Sequence, residues 1–145
     1  MIIPSSSSET PKESLVHVTI HEGDVYVFGF SSTTNAAVDD YVAVLTRIYN
    51  ENKDKPLLRF VIDGRDQTGA GRTAMPPLGY LMQQVREMLA KLPDRPMTRT
   101  AMVLDGPFVN VLDMMVRMLR TKDVVRMFKP AQFDMAVEWT REDGK

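Results

Sequence analysis

Between Leu57 and Arg86 the chain reads LLRFVID (57–63), GRDQTGAGRTAM (64–75) and PPLGYLMQQVR (76–86). The first piece is a short, nearly continuous apolar run, the pattern of a strand buried on both faces. The second is a polar loop with three glycines, and the third is a proline-started amphipathic stretch that continues to Leu92 before Pro93 stops it. Strand, loop and crossover helix together form the repeating unit of α/β sheets. Ligand and contact sites in such sheets lie at the carboxyl ends of the strands, which here means the loop.

The rest of the chain extends that unit in both directions. Upstream, Leu15–His21 alternates, with Val16, Val18 and Ile20 on one side and His17, Thr19 and His21 on the other, as in a strand with one solvated or partner-facing side. Glu22-Gly23-Asp24 is a turn signal, and Val25–Phe30 returns as the second strand of an antiparallel hairpin. A helix follows the polar loop Ser31–Asn35, carrying Val38, Tyr41, Val42, Leu45, Ile48 and Tyr49 on one face. Asp39 and Asp40 are expected in its first turn, where they suit the helix dipole.

Downstream, the Pro76-Pro77 helix is expected to bury Leu78, Leu81, Met82, Val85, Leu89 and Leu92. Thr98–Leu104 reads as a strand closed by Asp105-Gly106-Pro107. A helix is expected from Pro107 to Arg120, then a strand over Val124–Phe128. Pro130 should open a last helix with Phe133, Ala136, Val137 and Trp139 inward. The predicted fold class is α/β: a five-stranded mixed, mostly parallel sheet with four helices in the order β-β-α-β-α-β-α-β-α. A single domain is expected over 15–141, with a disordered leader at 1–14 and a tail at 142–145.

Composition narrows the function classes. The net charge is −1 over 145 residues, so no global field draws nucleic acid. No apolar run reaches the ~20 residues of a membrane span, and the N-terminal segment lacks the parts of a secretory signal. Cysteine is absent, which excludes disulfides, thiolate catalysis and cysteine-bound metal. A cytoplasmic protein without a cofactor is the resulting expectation.

The loop after Asp63 holds most of the candidate chemistry. Gly69-Ala70-Gly71-Arg72-Thr73-Ala74 fits the spacing of a dinucleotide-binding turn, but Pro76-Pro77 delay the helix that should begin there. No Gly-Lys-Ser/Thr follows, so a Walker loop is excluded. Successive N–H groups beside Arg65 and Arg72 make an anion-binding candidate of Asp63, Arg65, Asp66, Gly69, Gly71 and Arg72, with Asp105 from the next strand end. Asp63 and Asp105 as a carboxylate pair would suit acid–base work, yet Asp-Gly is also ordinary turn chemistry. His17 and His21 stand about 13 Å apart along one strand and do not chelate one metal. Met114, Arg117 and Arg120 form a candidate docking surface for an acidic protein partner.

The element order, hairpin first and then alternating units closed by a helix, resembles the STAS family of anti-sigma-factor antagonists and SpoIIAA-like proteins. Asp66-Gln67-Thr68-Gly69-Ala70-Gly71 is similar to that family's Asp-Ser-Ser-Gly-x-Gly loop, with Gln67 in place of the first serine. Val125–Phe128 with Phe133, Ala136 and Trp139 looks like its closing strand and helix. The resemblance implies a non-catalytic regulatory or interaction module, a protein partner or homodimer, and Thr68 as the phosphorylatable position. The alternative is a small-molecule or anion-binding domain, possibly enzymatic, with its site at the strand ends. A weaker resemblance to receiver domains rests on Asp63, Met75-Pro76 and Lys129-Pro130. It lacks the acidic pair such domains need for magnesium, since Gly29–Ser32 stands there.

Overall fold

The structure, a computed structural model, describes residues 15–65, 77–104 and 123–142. The expected leader, the loop 66–76, the expected helix over 107–120 and the last three residues lie outside the described residues. The described elements are β1 (Val16–His21), β2 (Val25–Phe30), α1 (Asn35–Glu51), β3 (Leu57–Asp63), α2 (Leu78–Ala90), β4 (Met97–Val103), β5 (Val124–Phe128) and α3 (Phe133–Arg141). Three of the four expected helices are therefore seen.

The five strands form one sheet in the order of the chain, β1-β2-β3-β4-β5. β1 runs antiparallel to β2, and every later neighbour is parallel, as the hairpin and the alternating units predict. The hairpin turn places Glu22 at φ 53° and Gly23 at φ 86°. Two consecutive positive φ values match the right-handed twist of the flanking strands, and glycine takes the second of them without a Cβ penalty.

Strand alternation distributes the side chains between two covered faces. Phe28, Phe30, Leu58, Phe60, Ile62, Met102 and Leu104 pack with α1 and α2. Val25, Val27, Val61, Ala101, Val103 and Phe128 pack with α3 on the opposite face. Phe28 centres the first layer, edge-on to Phe60 at 5.2 Å and to Tyr41 at 5.3 Å. Edge-to-face pairs at these separations add to the stabilisation from burial alone.

The helices depart from expectation in three places. α1 begins at Asn35, so Asp39 and Asp40 fall in its second turn and the first turn carries no acid. Both act as acceptors instead: Asp40 takes the Leu15 N–H at 2.8 Å and Asp39 takes the Tyr80 hydroxyl at 2.7 Å. These bonds tie α1 to the start of β1 and to α2. Pro130 opens a 3-10 turn over Pro130–Gln132, and α3 itself starts at Phe133. The Gln132 side chain accepts the Lys129 N–H at 3.0 Å, stabilising that turn. In α2, Met88 is buried with Leu81 and Met82, an inward position that the sequence reading omitted. Among the described residues no helix is long and apolar enough to cross a membrane.

Candidate functional site

The carboxyl end of β3 is closed by a compact ionic clasp. Asp63 is 5% exposed, and its two oxygens receive Nε and a terminal nitrogen of Arg65 at 2.9 Å each. The Arg65 main-chain N–H also reaches the carboxylate, at 3.0 Å. Gly64 between them donates to the Val103 carbonyl at 2.8 Å, extending the β3–β4 ladder by one step. The Asp-Gly-Arg sequence thus builds a turn in which Asp binds backbone and side chain two residues on. The Asp63 hydrogen bonds hold the Arg65 guanidinium above its ordinary pKa.

The clasp reaches α3. The Arg65 guanidinium lies 3.8 Å from the centre of the Phe133 ring, and His21 meets that ring edge-on at 5.9 Å. Phe133 therefore sits between the first strand and the end of the third. His17 belongs to the same row of the sheet as Asp63, with Gly29 between them.

A second cluster occupies the opposite end of the α3 face. Arg99, 4% exposed, donates from Nε to the Trp139 carbonyl at 2.7 Å. Its guanidinium carbon lies 4.0 Å from the Trp139 ring centre, and Glu142 stands at 3.6 Å. Arg141 bridges to Glu22 at 2.6 Å and approaches Asp24 at 3.8 Å, while Arg59 approaches Asp24 at 3.7 Å. Arginines and carboxylates alternate here, linking the end of α3 to the hairpin turn. Sequence reading did not single out these residues. Their available signal was a charged residue on the buried side of a strand, as at Arg59 and Arg99, which demands a partner.

A third cluster lies beneath α1 and α2. Arg95 and Asp123, both nearly buried, pair at 2.8 Å. The Asp123 carboxylate also accepts the Thr98 N–H at 2.9 Å. Burial, reinforced by the Asp123 charge, pushes the Tyr49 hydroxyl well above the ordinary tyrosine pKa. Tyr49, Thr98 and Asp123 line an apolar cavity of about 100 Å³, whose walls also include Leu45, Phe60, Leu81, Val85 and Met102.

Of the predicted site residues, the structure brings Asp63 and Arg65 together as partners of each other. Asp66, Thr68, Gly69, Gly71, Arg72 and Asp105 lie outside the described residues, as do Met114, Arg117 and Arg120. Among the described residues no three His, Asp or Glu side chains converge in a metal-binding arrangement. Comparison of the chain with family profiles, with characterised proteins and with solved structures returned no match.

Proposed function

We propose that this chain is a non-catalytic regulatory or protein-interaction module of the STAS/SpoIIAA-like type. The observation that carries the reading is the Asp63–Arg65 clasp on Phe133. At the position where an α/β sheet commonly presents a reactive group, the carboxylate is fully engaged in hydrogen bonds that hold a turn and a helix. The hairpin-first order, with a last helix on the face opposite α1 and α2, adds support. In this reading the loop after Arg65 is the contact and regulatory surface, Thr68 is its phosphorylatable position, and Met114, Arg117 and Arg120 are further partner-contact candidates.

The test is recovery of the full chain from its native cell after mild crosslinking, with phosphopeptide mapping of Thr68. The expected result is a stoichiometric protein partner whose capture changes with Thr68→Glu and weakens with Arg117→Glu and Arg120→Glu. A chain recovered alone under every growth condition, with Thr68 unmodified throughout, rejects the reading.

The cavity beside Tyr49 and Asp123 favours a second reading, a small-molecule binding domain. Its polar lining, Thr98 and Asp123, lies at the amino ends of β4 and β5, and its apolar walls run along the sheet to Phe30, Ile62 and Met102. A thermal-shift screen with small alcohols, phenols and carboxylates separates the readings. A ligand present at a hundred times its dissociation constant stabilises the fold by about 2.7 kcal/mol.

A further inference from the structure

The cavity between α1, α2 and the sheet is walled by soft surface. The rings of Phe30, Tyr41 and Phe60 line it, and so do the side chains of Met82, Met88 and Met102. Ring edges and polarizable sulfur both favour an aromatic guest over an aliphatic one, and methionine adapts its shape to what it touches. The volume, about 100 Å³, is somewhat below the roughly 150 Å³ of an apolar cavity that stays dry and binds benzene. A single ring, given some movement of the methionines, is the matching size.

Tyr41 supplies the polar contact. It is 8% exposed, held edge-on to Phe28 at 5.3 Å and to Phe30 at 5.6 Å. Its hydroxyl makes no hydrogen bond to any described residue. That oxygen is not sealed within the core; it opens on the cavity that its ring lines. A nearly buried hydroxyl with its bond unmade is costly, and a guest oxygen placed beside it recovers the loss. Burial pushes the Tyr41 hydroxyl well above the ordinary tyrosine pKa, so it remains a donor at neutral and mildly alkaline pH. Thr100 lines the same cavity and donates its hydroxyl to Thr98 at 3.3 Å, keeping lone pairs with which to accept a guest proton.

Asp123 sets the charge of the guest. Its carboxylate lines the cavity, pairs with Arg95 at 2.8 Å and accepts the Thr98 N–H at 2.9 Å. A guest carboxylate would share a low-dielectric space with Asp123, and no lysine or arginine is among the described residues that line it. An ammonium would have to compete with Arg95 for Asp123. A neutral guest avoids both costs.

We propose that this cavity binds a small uncharged phenol, its ring among the methionines and its oxygen accepting the Tyr41 hydroxyl. The inference rests on the small-molecule reading of the cavity and names the class of ligand.

The test titrates the full chain with phenol, toluene and benzoate, followed by calorimetry and by the methyl signals of the methionines. Phenol and toluene should bind saturably and shift the Met82, Met88 and Met102 methyls, while benzoate should not bind. Tyr41→Phe removes only the hydroxyl; it should weaken phenol about fivefold or more and leave toluene unchanged. Unchanged toluene binding also shows that the variant keeps its fold and its cavity. Phenol binding that survives Tyr41→Phe intact overturns the proposal, as does benzoate binding as tight as that of phenol. Shifts confined to other methionines overturn it too, because the ligand then sits elsewhere. Toluene binding without phenol binding overturns the oxygen contact and leaves the small-molecule reading standing. If none of the three binds, that reading falls with the proposal, and the interaction-module reading is untouched.

Discussion

Arg99 binds Trp139 twice, by a hydrogen bond from Nε to the main-chain oxygen at 2.7 Å and by a guanidinium carbon 4.0 Å from the ring centre. The contact joins the middle of the sheet to the last helix across 40 residues of chain. Replacing Arg99 with Met keeps the apolar stem but leaves a buried carbonyl without this donor. The lost bond and the lost cation–π contact together should cost about 2–4 kcal/mol in urea unfolding. Arg99→Lys should recover only part, because a point charge cannot donate and stack in the same geometry.

Arg95 and Asp123 make a nearly buried pair whose carboxylate also receives the Thr98 N–H. Asp123→Ala strands both donors and should destabilise by about 3–5 kcal/mol. The double variant Arg95→Met, Asp123→Leu should lose much less than the two single losses added together. Equilibrium denaturation of the four proteins in that cycle checks both statements.

Phe28 is fully buried and lies edge-on to Phe60 and Tyr41. Phe28→Ala should cost about 3–5 kcal/mol, the range for emptying a large aromatic site in a packed core. Phe28→Leu should cost distinctly less, measured in the same denaturant series.

Burial raises the pKa of Tyr41 and Tyr49 far above the ordinary 10.0. The folded state therefore holds these two protons more tightly than the unfolded chain does. Their contribution to stability is complete below pH 10 and is lost as pH rises above the unfolded tyrosine value. Ultraviolet titration should show Tyr41 and Tyr49 ionising only together with loss of near-ultraviolet circular dichroism. Tyr49→Phe should weaken the alkaline dependence, leaving the Tyr41 portion.

The Asp63 clasp should behave as an anchor for α3. Asp63→Asn keeps the shape but removes the charge that holds Arg65, and should lower stability by about 1–3 kcal/mol. Hydrogen exchange should accelerate in α3 more than in α1, because Arg65 carries the effect to Phe133.

Much of this fold was legible because its signals are local. The alternation in VHVTIH, the apolar run LLRFVID and the helical spacing from Val38 to Tyr49 each identify an element from its own residues. Element ends were less secure. Pro130 reads as a helix start, yet the Gln132 side chain bonds the Lys129 N–H and draws the first turn into 3-10 form. The clusters were illegible for a different reason. Asp40 meets Leu15, Asp123 meets Arg95 and Trp139 meets Arg99 over 25, 28 and 40 residues. No local period encodes such partners. At the strand end, the sequence pointed to Asp63 and Arg65 as binding-loop candidates, but offered no sign that they satisfy each other.

Because the strands lie side by side in the order in which they are synthesised, a growing chain can lay down its sheet from one side to the other. Each new strand finds its neighbour already present, so each parallel pairing closes over one intervening segment. The exception is α3. Among the described residues α3 alone covers Val25, Val27 and Val61, and until it emerges that apolar face is a hazard for a nascent chain. The bond from Arg141 back to Glu22, 119 residues earlier, forms only once α3 has been made. Chains stopped just after Phe128 should therefore depend on chaperones, while chains extended through Arg141 should release themselves from them.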